Sequence, residues 1–232
     1  ALGSVPRSIA DPITSNEVNV SGFLNILIAA KESSSLKQMV YAASSSTYGD
    51  SNKLPKIEGN EGNPLSPYAV TKLVNELYAD VFSRVYNFHT IGLRYFNIFG
   101  PKQNPRNPYA AVIPIFCQAY IDGHQPIING NGETSRDFTF VENAIQANVK
   151  ALFSNSFGKH EIFNVACGDQ ISLNEMIGIL KIIGSSNLDA RYGPERLGDV
   201  RHSKASINKI KNALGYEPMV GFKDGLEIVF NW

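Results

Sequence analysis

Two short apolar runs, KQMVYAA at 37–43 and HTIGLRYFNIFG at 89–100, flank one long helical pattern, SPYAVTKLVNELYADVFSRVY, and this order leaves few folds open. Strands separated by a helix-sized crossover must pair in parallel, and parallel sheets are stable only with helices on both faces. Ser66 is placed to cap the long helix and Pro67 to occupy its first position. Upstream, NEVNVSGFLNILIAA (16–30) spaces Val20, Phe23, Leu24, Leu27 and Ile28 as one face of another amphipathic helix. The pattern predicts the second half of a doubly wound α/β fold.

After residue 100 the periodicity is less regular. A helix over Val112 to Ile121, strands at PIING, RDFTFV and HEIFNVA, a helix through Ala151 and helices from Ser172 and Ala205 are predicted. They read as a smaller α/β lobe over 101–232, interleaved with a sheet domain over 1–100. The NGNGE at 129–133 contains two Asn-Gly steps after an apolar run, which is a turn signal.

With 43% apolar residues in 232, the chain can bury a sizeable core. Lys plus Arg balances Asp plus Glu at 21 each, so no overall field draws it to nucleic acid or an anionic membrane. Its longest apolar run, MIGILKIIG, is short and carries Lys181, which argues against a membrane span. Cys117 and Cys167 stand isolated in apolar sequence and fit a reducing, cytoplasmic setting. The four histidines, His89, His124, His160 and His202, show no metal-ligand spacing. Asn19-Val20-Ser21 matches a glycosylation pattern but falls inside a predicted helix.

Chemistry concentrates in SSSTYGD and SPYAVTK. Tyr68 and Lys72 are four residues apart on one helix, so they share a face, and an ammonium beside a phenol favours the phenolate. Such a tyrosine can act as a general base near neutral pH. Ser44, Ser45 and Ser46 end the first strand, and in doubly wound sheets ligands bind beyond the strands' carboxyl ends. A Ser-His-Asp hydrolase would need a G-x-S-x-G elbow, which is not here.

Taken in order, ALGSVPRS, NVSGFLNILIAA, YAASSSTYGD, PLSPYAVTK, GLRYFNIFGP, GETSRDFTFV and GDVRHS resemble the extended short-chain dehydrogenase/reductases. Within them the chain is most similar to the UDP-N-acetylglucosamine or UDP-N-acetylgalactosamine 4-epimerases of bacterial surface-polysaccharide pathways. The resemblance implies a Rossmann-like doubly wound parallel sheet with a smaller C-terminal substrate lobe, NAD as cofactor and a UDP-sugar as substrate. Family members open with a glycine-rich GxxGxxG turn that this sequence does not contain, so roughly a hundred residues, one mononucleotide-binding half, are expected to precede it.

The resemblance makes Tyr68 the acid/base, with Lys72 holding the nicotinamide ribose and lowering the tyrosine's pKa. Tyr95 joins them at the cofactor. Ser44 and Ser46 would bond the sugar's 4-hydroxyl, with Ser45 near the N-acetyl group and Ser4 also on the substrate. Asn97, Arg136 and Arg201 would hold the diphosphate, since guanidinium forks suit phosphate geometry. Intramolecular pairing of the arginines with Asp137 or Asp199 is the alternative. Ser203 falls where the family places a gatekeeping side chain, and a serine leaves room for an N-acetyl group. The cycle implied is oxidation at C4, rotation of the 4-keto sugar and hydride return to the other face.

Dehydratases and decarboxylases of this superfamily place carboxylates near Ser45 or Ser46, where this chain has only hydroxyls. UDP-glucose and UDP-glucuronate 4-epimerases stay open, as does a non-catalytic nucleotide-sugar-binding fragment. A homodimer through Leu73, Leu77 and Val81 of the long helix is expected by resemblance.

Overall fold

The computed structural model describes residues 1–107, 110–154, 160–195 and 201–232. Helices α1 (Val5–Ala10), α2 (Pro12–Asn16) and α3 (Gly22–Glu32) precede strand β1 (Gln38–Ser44), the long helix α4 (Pro67–Tyr86) and strand β2 (His89–Tyr95). Then come β3 (Ile98–Phe99), α5 (Val112–Ile121), β4 (Ile127–Asn129), β5 (Ser135–Arg136), β6 (Thr139–Phe140), α6 (Val141–Leu152) and β7 (His160–Val165). The chain continues through β8 (Ile171–Ser172), α7 (Leu173–Ile183), β9 (Arg191–Gly193), α8 (Asn208–Leu214) and α9 (Phe222–Asn231).

Strands β1, β2 and β7 form a parallel sheet in that order, so the predicted crossover closes as expected and the later lobe returns a strand to the first sheet. Side-chain alternation then assigns each face. Ile91, Leu93 and Tyr95 turn to one side, against Ala144, Ala147 and Ala151 of α6 and Ile210 of α8. Tyr41 and Ala43 turn to the other, against Ala79 of α4. Helices therefore cover both faces. Register places Ser44, Tyr95 and Val165 side by side at the carboxyl edge.

A second core fills the lobe. Phe99, Phe138, Phe140 and Phe222 pack with Ile113, Phe116, Met176, Leu180 and Leu226. Among them, the Phe138 and Phe222 rings lie 5.3 Å apart and those of Phe99 and Phe140 5.5 Å, the range in which aromatic pairs attract. Pairs β3–β6, β4–β9 and β5–β8 frame this core. No helix among the described residues is long and apolar enough to cross a membrane.

Three local readings change. The helix predicted over 16–30 is broken: Glu17–Ser21 is a single π-helical stretch between α2 and α3. It turns Asn19 inward, where its amide donates to the Leu2 carbonyl and the Thr71 hydroxyl, so Asn19 is a buried structural residue. RDFTFV is two short strands, β5 and β6, because Asp137 between them turns its carboxylate into the interior. The run at 89–100 is also interrupted, with Asn97 at φ 40 separating β2 from β3.

Candidate active site

Helix α4 opens as its sequence dictates. The Ser66 hydroxyl accepts from the Ala69 amide at 3.2 Å, and Pro67 occupies the first turn. Its start is fixed from outside as well, since the Tyr68 amide donates to the Ser8 hydroxyl at 3.0 Å and Ser8 donates to the Val5 carbonyl. The first helix thus seats the turn carrying Tyr68. Ser4 caps that same first helix, accepting from the Arg7 amide at 3.2 Å.

At the edge of the sheet β1 passes into a 3₁₀ turn over Ser45–Tyr48. The Ser44 oxygen accepts from the Ser46 amide at 3.2 Å and the Ser46 hydroxyl at 2.9 Å. Both lone pairs are then occupied, which leaves the Ser44 proton to be donated. Ser44 pulls the pKa of the neighbouring Tyr68 phenol down, against burial, which pushes it up more strongly. Ser45 and Ser46 are half-buried beside it.

Lys72 is almost wholly buried, and its ammonium donates to the Ala42 carbonyl at 2.8 Å. It stands 6.0 Å from the centre of the Tyr68 ring. Burial lowers its pKa and the Glu76 carboxylate, one turn on, opposes that. The sequence predicts a Tyr68 acidified by Lys72. In the structure the net displacement of Tyr68 is upward, because burial outweighs the pull of Ser44.

Beneath this pair lies a cluster that the motif reading missed. Arg94 of β2 forks onto Glu76, with Nε to Oε1 at 2.9 Å and Nη2 to Oε2 at 2.7 Å, and its Nη1 pairs with Glu61. The guanidinium also stacks on Tyr48 at 4.8 Å, and Tyr48 donates to Asn164 of β7 at 2.7 Å. Burial raises the Glu76 pKa against the pull of Arg94. The i, i+4 step from Lys72 to Glu76 was the available signal.

Tyr95 stands beside Ser44 at the carboxyl edge. Strand alternation turns it to the α6 face, where its hydroxyl donates to Asn148 at 2.9 Å. Asn97, Arg136, Arg201 and Ser203 gather at the junction of sheet and lobe. The Asn97 amide donates to the Asp137 carbonyl at 3.0 Å. Arg136 Nη1 donates to the Ser135 and Arg201 carbonyls at 2.9 and 3.2 Å. Ser135 and Ser203 are bridged through the Ser203 amide at 3.1 Å, and the Ser135 amide reaches Arg201 at 2.9 Å. The Arg201 side chain is exposed, 3.6 Å from Glu195. Asp199, its other sequence neighbour, lies outside the described residues. Asp137 gives its carboxylate to the Cys167, Gly168 and Ala205 amides, and burial pushes its pKa up to about 6.

The donor set suits the nicotinamide-ribose end of a dinucleotide. An ammonium has three protons, and the bond to Ala42 leaves two for a vicinal diol beside the Tyr68 phenol.

A parallel sheet with a hydroxyl, a phenol and a buried ammonium at its carboxyl edge defines a Rossmann-like α/β protein. Residues 1–166 match the NAD dependent epimerase/dehydratase family, and the chain belongs to that family. It is 31% identical over 224 residues to the UDP-glucose 4-epimerase of Mycolicibacterium smegmatis, covering 96% of this chain and 70% of that one. The structure of a UDP-N-acetylglucosamine 4-epimerase from Methanobrevibacter ruminantium, in complex with UDP-N-acetylmuramic acid, matches with a TM-score of 0.95 at 36% identity, over 100% of this chain and 74% of that one. The UDP-glucose 4-epimerase of Thermotoga maritima with UDP-glucose matches with a TM-score of 0.94 at 31% identity, again over 100% and 74%.

Proposed function

We propose that this protein is a nucleotide-sugar 4-epimerase that inverts C4 of a UDP-N-acetylhexosamine, interconverting UDP-N-acetylglucosamine and UDP-N-acetylgalactosamine. The observation that carries the reading is the buried Lys72 ammonium, bonded to the end of β1 and 6.0 Å from the Tyr68 ring at the sheet's carboxyl edge. With a positively charged cofactor bound beside it to offset the burial that raises its pKa, Tyr68 would take the proton of the sugar's 4-hydroxyl and return it, and Ser44 and Ser46 orient that hydroxyl. Lys72 holds the cofactor's ribose, and Tyr95 remains a proposed neighbour of the cofactor through its place on the sheet edge. NAD, when bound, supplies hydride acceptance and return at C4. Ser4, Ser45, Asn97, Arg136, Arg201 and Ser203 bind the substrate, with Asn97 and the two arginines on its diphosphate.

Only one acid/base is required, because the proton removed on one face is the proton returned, and the serine turn has no carboxylate to drive elimination. The sheet part over 1–100 carries the acid/base and the lobe, mainly over 101–232, carries the substrate clamps. A second copy of the chain packs on the outer face of α4, where Leu77 and Val81 are 57% and 40% exposed.

The acetylated substrate is favoured by the half-buried, small Ser203. UDP-glucose is the second reading, supported by relatives of that activity at similar identity. Steady-state rates on both sugars for wild type and Ser203→Tyr separate the two. Bulk at 203 is expected to cut turnover of the acetylated sugar far more than that of UDP-glucose. Equal losses on both would remove the argument for the acetylated substrate.

A further inference from the structure

We propose that Asp137 is the positioning residue of the diphosphate subsite, joining the three segments that carry Asn97, Arg136, and Arg201 with Ser203. The proposal rests on the nucleotide-sugar reading above. Asp137 is wholly buried in the short link between β5 and β6. Its Oδ1 accepts from the Cys167 amide at 2.9 Å, and its Oδ2 accepts from the Gly168 and Ala205 amides at 3.0 and 3.1 Å. Its own carbonyl accepts the Asn97 side-chain amide at 3.0 Å.

Each contact reaches a different part of the subsite. Asn97 lies in the link between β2 and β3 and carries the amide proposed for the diphosphate. Arg136 is the preceding residue, held by the Ser135 and Arg201 carbonyls. Ala205 lies two residues beyond Ser203 and four beyond Arg201, on the segment that bridges to Ser135. The turn at 167–168 follows the end of β7, so the same carboxylate also ties this group to the sheet. Asp137 touches no diphosphate in this scheme. It sets the spacing of the groups that do.

The chemistry demands a carboxylate. Three N–H groups converge on two oxygens, and only an ionised acid accepts at both. An asparagine would turn an NH₂ toward at least one backbone N–H and leave that donor unsatisfied, so one loop or the other must move.

The test is UDP binding by titration calorimetry at pH 8 for the protein expressed from its complete reading frame, as wild type, Asp137→Asn, Arg136→Ala and the double variant. Asp137→Asn is expected to weaken UDP about tenfold or more while changing NAD affinity less than about twofold, and to raise KM for the UDP-sugar with kcat little changed. If Asp137 acts in part through Arg136, part of its effect disappears in the Arg136→Ala background. Unchanged UDP affinity, an equal loss of NAD affinity, or full additivity overturns the proposal. Wild type that binds no UDP overturns the nucleotide-sugar reading and this proposal with it.

Should Asp137→Asn not accumulate as folded protein, the wild type decides by amide hydrogen exchange. UDP is expected to slow exchange at the Gly168 and Ala205 amides several-fold. Exchange there that ignores UDP refutes the coupling.

Discussion

Replacing Glu76 with alanine tests whether the charged cluster under the first turns of α4 is structural in its own right. Arg94 is 3% exposed and Glu76 6%, and two bonds of 2.9 and 2.7 Å join them. Removing one partner of a buried ion pair typically costs about 3–5 kcal/mol, because the other charge stays desolvated. Here Arg94 keeps Glu61 and the Tyr48 ring, so the lower end, about 3 kcal/mol, is expected. For a chain of this size each kcal/mol moves the melting temperature by about 2–4 °C, which gives a fall of about 6–12 °C. Thermal unfolding followed by circular dichroism reads this directly. The control is Asp189→Ala, which breaks the exposed Lys181–Asp189 pair at 2.7 Å and is expected to leave the midpoint where it is. A Glu76→Ala variant that melts within about 2 °C of wild type refutes the reasoning, as does one no worse than Asp189→Ala.

Two further outcomes follow from buried groups and from backbone geometry. His160 donates or accepts at the Thr90 hydroxyl at 2.7 Å, and burial holds its pKa below the ordinary 6.5. The unfolded chain therefore binds the proton more readily, so this contribution to stability is full above pH 6.5 and is lost as pH falls through the depressed native value. Urea midpoints between pH 8 and pH 5 are expected to fall more steeply for wild type than for His160→Gln, and parallel curves would refute the assignment. Gly132 sits at φ +79, and a Cβ there would lie 2.0 Å from Asn174 Oδ1, whereas Gly123 at φ +70 has open space around it. Gly132→Ala is expected to cost about 1–3 kcal/mol and more than Gly123→Ala, and equal costs in urea unfolding would show the Asn174 contact to be irrelevant.

The parts of the fold that follow from local rules were legible in the sequence. Ser66 and Pro67 announce the start of α4, and a crossover of that length commits β1 and β2 to parallel pairing. Tyr68, Lys72 and the serine turn meet at one edge because a strand's end and the next helix's start share an end of the sheet. Other features depend on what a side chain meets after folding. Nothing in RDFTFV says that Asp137 will find three amides 30 to 68 residues away and split the strand in two. The face taken by Tyr95 depends on register, and one residue's shift would have reversed it. The Arg94–Glu76 fork joins a strand to a helix whose charges look like ordinary surface residues in one dimension. The direction of the Tyr68 pKa likewise turns on burial, which spacing alone does not report.

The most direct test of the central claim is proton NMR of UDP-N-acetylglucosamine incubated with NAD⁺ and the protein expressed from its complete reading frame, wild type against Tyr68→Phe. The account predicts that wild type forms the C4 epimer and that Tyr68→Phe loses nearly all turnover while UDP-sugar binding is retained. Epimer formed at an undiminished rate by Tyr68→Phe, or no C4 epimer of any UDP-sugar from wild type, would contradict it.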